Sequence, residues 1–330
     1  MYTIDMHTHT FCPSVEQLVA GKYDPLTTPY RRDMSPESRV TDAQRKPTYR
    51  PMLNDPQRRF VDMAKMNVDF QVISPAPAQQ HYWADEDLLV ELSIAQNRHI
   101  ASLIAVDQSR FAGMGTLPMA FPKRAASEAE RSVGELGLRG FQIDTRVNQH
   151  ELSDPAFDLV WATLARLGVP VFIHPLGFSE GSRLSPFFMI NSVGQPLEEV
   201  IAGMHLISGG VLDRHPELKV IIGHGGGYLP YHVGRLDHAW KVRPEVRALT
   251  PMPPSAYLKR MWFDTCVFRS DHLTALMALA GADKIMLGSD YPFDMGDEDP
   301  TAIVTACHSL SDGEREAILS GNAKALFGLS

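Results

Sequence analysis

Eight short β-rich runs, separated by longer amphipathic stretches, constrain this 330-residue chain more than any other feature of it. The runs are Tyr2 to Met6, Asp69 to Ser74, Phe111 to Leu117, Gly140 to Asp144, Val169 to His174, Leu218 to Gly223, Met261 to Thr265 and Lys284 to Ser289. Helical periodicity fills Gln57 to Met66, Asp85 to Ile104, Lys123 to Leu136, Asp154 to Leu167 and Leu197 to Ser208. Strands alternating with helices of this length predict parallel βαβ units. Continuous apolar runs such as Val169 through Ile173 suit strands buried on both faces. Eight strands, with no Gly-x-Gly-x-x-Gly after the first, predict a (β/α)8 TIM barrel rather than an open doubly wound sheet. The expected organisation is one barrel domain over residues 1–330.

Two stretches exceed a minimal barrel. Residues 11–55 follow the first strand and are polar and proline-bearing, and Gly177 to Pro196 follows the fifth. Insertions that follow strands lie at the C-terminal face, where barrel active sites are built. The remaining composition excludes rather than identifies. A net charge of -8 without a basic block argues against nucleic acid. No run approaches the about 20 apolar residues of a membrane helix. Three scattered cysteines are no disulfide framework, so a reducing cytoplasm is expected.

Chemistry gathers where the strands end. His7 and His9 close the first strand two residues apart, so both rings point to one side. His174 ends the fifth strand, and Asp290 follows the eighth, which adjoins the first on closure. Three imidazoles and a carboxylate make a plausible ligand set for one divalent ion, Zn2+ or a similar cation. His224, in Gly223-His224-Gly225-Gly226-Gly227, is the candidate general acid/base beside it, and the glycines permit close approach of backbone and substrate. The fourth strand ends Phe141-Gln142-Ile143-Asp144, without the lysine that bridges two ions in binuclear barrels, so a single ion is expected. Trp83 and Phe293 are candidate apolar walls, while His81, Asp144 and Cys266 are left without a role.

With Ile4 through His9, Gly115 through Met119, Gly223 through Gly227, Gly234-Arg235, Leu287 through Phe293 and Gly321 through Ala323, nearly the whole chain resembles the amidohydrolase superfamily. Within it, the likeness is to the muconate-semialdehyde decarboxylase branch. That resemblance implies His7, His9, His174 and Asp290 as metal ligands, usually for zinc with Mn2+ as the alternative, and His224 as the catalytic histidine. It implies Arg50 and Arg235 as grips for a substrate carboxylate, Arg235 reaching in from the second subunit of a homodimer. Leu176, Gly177 and Asp144 depart from the branch at strand ends that face the pocket. The expected reaction is non-oxidative decarboxylation of a small unsaturated or aromatic acid, in which Asp290 also serves as a catalytic group. The same parts suit a hydrolase of an ester, lactone, amide or carbon–carbon bond, or a hydratase.

Overall fold

The computed structural model describes residues 1–330. Eight strands form one sheet: β1 (Ile4–Thr10), β2 (Phe70–Pro75), β3 (Phe111–Gly115), β4 (Gly140–Ile143), β5 (Val171–Ile173), β6 (Val220–Ile222), β7 (Met261–Asp264) and β8 (Ile285–Met286). Each pairs with the next in parallel. The end of β8 then returns to β1. Met6 N–H donates to Leu287 O at 2.9 Å, Asp290 N–H to His7 O at 2.9 Å and His9 N–H to Tyr291 O at 2.8 Å. Closure leaves no free sheet edge, and the expected (β/α)8 barrel is the fold observed.

Local chemistry sets the helices. Asp55 precedes Pro56 and caps Pro56–Lys65, while the Asp85 carboxylate accepts the Leu88 N–H to open Glu86–Ile104. Both are side-chain caps for otherwise unsatisfied N–H groups. Pro122–Leu136 and Asp158–Leu167 end at Gly137 and Gly168, each at φ 68°, a conformation that costs glycine little.

The apolar core lies in two shells. Outward strand residues such as Phe141, Ile143, Val171, Ile173, Val220 and Ile222 pack under the helices. Ile4, Met6, Phe70, Val72, Met114, Phe172, Ile221 and Met286 fill the cylinder, joined by Ala323, Leu326 and Phe327 of the last helix, Asn322–Phe327. Burying each such large side chain stabilises the fold by roughly 1.5–3 kcal/mol. With apolar residues filling the interior, polar residues at its other end form a cup.

Three details differ from the expected pattern. The first strand runs on to Thr10, so His7 and His9 lie within it. Residues 11–55 are largely helical, as Pro13–Val19, Pro29–Asp33 and Pro36–Asn54, each with proline in its first turn. Lacking a wide apolar stripe, the longest of these is held at its end by polar contacts, including Thr10 Oγ1 donating to Leu53 O at 2.7 Å. After β4, a short hairpin pairs Arg146–Val147 with His150–Glu151, where no strand was expected. No helix is long and apolar enough to cross a membrane.

Candidate metal centre and active site

β1 contains a bulge. Ile4 pairs with Phe70 and Asp5 with Gln71, but Thr8 pairs with Ile73 and His9 with Ser74, so β1 spends one residue more than β2. Ile4 and Met6 point into the cylinder. Strict alternation would then turn His7 and His9 outward; the extra residue returns both to the interior. Bulges re-aim side chains in this way beside active sites.

His7, His9, His174 and Asp290 meet there, all buried, their ligand atoms within 4.8 Å of one another. The expected set of four therefore converges. Asp290 Oδ1 lies 3.1 Å from His9 Nε2, 3.4 Å from His7 Nε2 and 3.9 Å from His174 Nε2.

Each imidazole is tied down through its other nitrogen. His7 Nδ1 is 2.7 Å from Asp264 Oδ2, His9 Nδ1 is 3.1 Å from Pro75 O, and His174 Nδ1 is 2.9 Å from Pro175 O. Those partners accept hydrogen bonds, which assigns the ring proton to Nδ1 and leaves a lone pair on each Nε2. Three lone pairs thus face a carboxylate oxygen. Nε2 of His7 and of His174 is buried without any hydrogen-bond partner. Acceptors facing acceptors in a buried site repel unless a cation lies among them, so the residues present fit one divalent ion. Protonation agrees. Burial holds His174 well below the usual imidazole range and lowers His9, while burial's upward push on Asp290 is overcome by His7 and the neighbouring imidazoles, leaving its carboxyl well below the usual range. Neutral imidazole and ionised carboxylate are the forms that bind metal.

His224 stands at the same rim, with Nε2 3.6 Å from Asp290 Oδ2 and Nδ1 2.7 Å from Glu199 Oε1. Burial disfavours its charge, but the two carboxylates win and hold its pKa well above the usual value. His224 and Asp290 both adopt left-handed backbone, at φ 47° and φ 60°. Non-glycine residues there are strained and need surroundings that over-determine them. For His224 the support is Asp264, whose carboxylate accepts the N–H groups of His224 at 3.0 Å and Gly225 at 2.8 Å. The glycine run accommodates protein rather than open space: a Cβ on Gly227 would lie 2.3 Å from Pro196 O.

The other expected residues separate into two groups. Phe293 reaches the centre, its ring 5.3 Å from that of His9. Trp83 sits on the rim, stacked on Tyr23 at 4.7 Å, with its Nε1–H donated to His81 Nδ1 at 3.3 Å. Burial pushes His81 down to about 4, so this imidazole is neutral. Arg50 is more than half exposed and paired with Glu16. Arg235 is exposed on the helix Leu229–Val242. Neither arginine joins the buried cluster. Cys266 lies beneath it, buried, with Sγ 3.7 Å from His7 Nδ1. Asp144 extends β4 on the side of Gln142, which accepts from Ser74 Oγ at 2.6 Å, and burial pushes its carboxyl up to about 7.

Sequence reasoning overlooked two residues that organise the site. Asp264 ends β7, so the strand-end rule that found His174 would also have found it. Glu199 lies within the helix Gly194–Ser208 beside Glu198, where a carboxylate ordinarily reads as a solvated helix face. No local signal marks it.

Comparison with known proteins places this geometry. A 2-amino-3-carboxymuconate-6-semialdehyde decarboxylase from Dictyostelium discoideum is 36% identical over 276 residues, covering 83% of this chain and 77% of that protein. A gamma-resorcylate decarboxylase from a Polaromonas species is 31% identical over 300 residues, covering 84% and 89%. The crystal structure of a dihydroxybenzoic acid decarboxylase from Polaromonas, with bound manganese and the inhibitor 2-nitroresorcinol, superposes with a TM-score of 0.84 at 26% identity, over 99% of this chain and 97% of that one. The sequence profile of the amidohydrolase family extends over residues 4–329, from the first residue of β1 to two residues past the last helix, and the chain belongs to that family.

Proposed function

We propose that this protein is a metal-dependent non-oxidative decarboxylase of a small aromatic or unsaturated carboxylic acid. The single observation that carries the reading is the cup of three imidazole lone pairs around Asp290, with a differently held fourth histidine beside it, in a chain whose two relatives described above are decarboxylases. His7, His9, His174 and Asp290 hold the ion; we assign it as Zn2+, with Mn2+ as the alternative suggested by the manganese in the Polaromonas structure. When bound, the ion polarises a substrate oxygen as a Lewis acid.

The reaction breaks the bond between the substrate carbon and its carboxylate. The electron pair stays on that carbon, which takes a proton as carbon dioxide departs. His224 carries that proton on Nε2, the nitrogen that faces Asp290. Asp290 combines two tasks, since one oxygen faces the three ligand imidazoles while the other faces His224. A positioned acid of this kind contributes typically 10²–10⁴-fold, roughly. Phe293 and Trp83 form the apolar walls for a planar substrate. Arg50 grips the substrate carboxylate by exchanging Glu16 for it, and Arg235 does so from the partner subunit of a homodimer. We place the protein in the cytoplasm, where its three free, buried cysteines remain reduced.

The test is an assay of carbon dioxide release by metal-loaded enzyme across resorcylate-, catechol carboxylate-, salicylate- and muconate-type acids. One carbon dioxide per acid consumed is expected, with bound metal retained and turnover lost in His224→Ala. Water incorporation or acid formation without carbon dioxide would replace the reading with a hydratase or hydrolase.

A further inference from the structure

We infer that Glu199 is the positioning residue of the proton-transferring histidine: its carboxylate, reaching His224 Nδ1 at 2.7 Å, fixes the rotation and tautomer of that ring so that Nε2 is the nitrogen that exchanges protons. The inference rests on the reading of His224 given above.

Glu199 is fully buried, at 0% exposure, in the middle of the helix Gly194–Ser208. Burying a carboxylate is costly unless both oxygens are satisfied. Here Oε1 meets His224, but Oε2 is buried with no hydrogen-bond partner. A carboxylate retained for packing alone would be better replaced by an apolar side chain of similar volume. What Glu199 offers that such a residue lacks is the acceptor at His224.

The chain also clears the way for it. A Cβ on Gly223 would stand 3.0 Å from Glu199 Oε1, and one on Gly227 would stand 2.8 Å from Oε2. Glycines on both sides of His224 therefore leave the channel through which the glutamate reaches the ring. Division of labour follows. Asp264 holds the His224 backbone through its N–H, and Glu199 holds the ring.

The way the rings are held sorts the four histidines by task. His9 and His174 give Nδ1–H to neutral backbone carbonyls, and His7 gives its own to Asp264, a carboxylate that also receives three backbone N–H groups. Glu199 accepts no other hydrogen bond, so its acceptor serves His224 alone. An anionic partner at Nδ1 balances the charge of the ring while Nε2 holds its proton, and a donated Nδ1–H excludes the tautomer that would aim a bare Nδ1 at the helix.

The test compares metal-loaded wild type with Glu199→Gln and Glu199→Leu, and with His224→Ala assayed in parallel. Bound metal, kcat, KM and the ring tautomer of His224 are measured, the last by long-range 15N–1H correlation on ring-labelled enzyme. Glu199→Leu removes the acceptor and is expected to lower kcat on the order of 10²-fold, within the range of general acid–base catalysis. KM and metal content should stay unchanged, and, at a pH high enough for the ring to be neutral, a single Nδ1–H tautomer should become a mixture. Glu199→Gln, which still offers an amide oxygen, should recover part of that kcat. Wild-type kcat and an unmixed tautomer in the variants would overturn the inference, as would kcat lost only in proportion to bound metal. If Glu199→Leu does not fold, Glu199→Gln alone decides between the same outcomes. An active His224→Ala enzyme would instead overturn the role of His224, whereas an inactive one beside an unaffected Glu199 series overturns only the role of Glu199.

Discussion

The base of the barrel mouth and its rim are built on opposite principles. At the base, every functional side chain is held through a second atom: His7 by Asp264, His9 by Pro75, His174 by Pro175 and His224 by Glu199. All four lie in, or within two residues after, strands of a closed barrel, where neighbouring backbone is fixed by parallel pairing. The rim is built from the helical segment after β1, the turns after β5 and the helix Leu229–Val242 after β6. Its arginines are exposed, with Arg50 on Glu16, and Phe187 of the second segment is 90% exposed. Exposed ion pairs contribute about 0–1 kcal/mol and exchange readily. The difference teaches where each property of the enzyme resides. The side chains of the cluster are anchored in rigid elements and tolerate little change, whereas the side chains proposed to grip the substrate can trade partners.

The comparison can be broken most sharply at the base. His174→Ala and Asp290→Ala should each empty the site of metal and reduce turnover below detection, a loss exceeding about 10³-fold. Metal analysis beside the decarboxylation assay measures this, and a variant that keeps both metal and activity would show that the cluster is not the centre. Chelation of wild type should reproduce the loss, with recovery on adding back Zn2+ or Mn2+.

A smaller effect is expected at the rim. Arg235→Ala should raise KM about tenfold, the loss of one charge-assisted carboxylate contact, while bound metal is unchanged. If Arg235 serves the neighbouring site, mixing unfolded Arg235→Ala and His224→Ala subunits and refolding them together should restore about a quarter of wild-type activity at substrate well below KM, since half the dimers are hybrids with one complete site. Activity that never exceeds the sum of the two variants would place Arg235 outside the partner's site.

The smallest effect concerns Asp144, at the border of the two regions. Its folded pKa is raised by burial to about 7 from an ordinary 3.8, so the folded state holds the proton more tightly than the unfolded chain. The associated stability is fully present below about pH 4 and is lost as pH rises through about 7. Asp144→Asn should flatten that decline. Urea midpoints at pH 5 and pH 8 measure it, and an unchanged difference between wild type and variant would contradict the assignment.

Much of this could be read from the residues in order. Alternating β-rich and amphipathic segments specified eight strands and their parallel sense, because period is a local property that the backbone enforces wherever the chain sits. Polar residues at strand ends identified His7, His9, His174, His224 and Asp290, because a barrel delivers the ends of its strands to one mouth. Tertiary structure alone decided the rest. The bulge that brings His7 and His9 inside is a mismatch in count between β1 and β2, and a register is not defined until two strands pair. Glu199 resembles its exposed-looking neighbours until the helix is laid against Gly223 and Gly227. The longest helix of residues 11–55, Pro36–Asn54, is fixed by contacts with β1 and the segment after β8, such as Tyr49 against Phe293, rather than by any periodicity of its own. In each case the deciding energy belongs to a pair of segments far apart in the chain, and no reading of either segment by itself contains it.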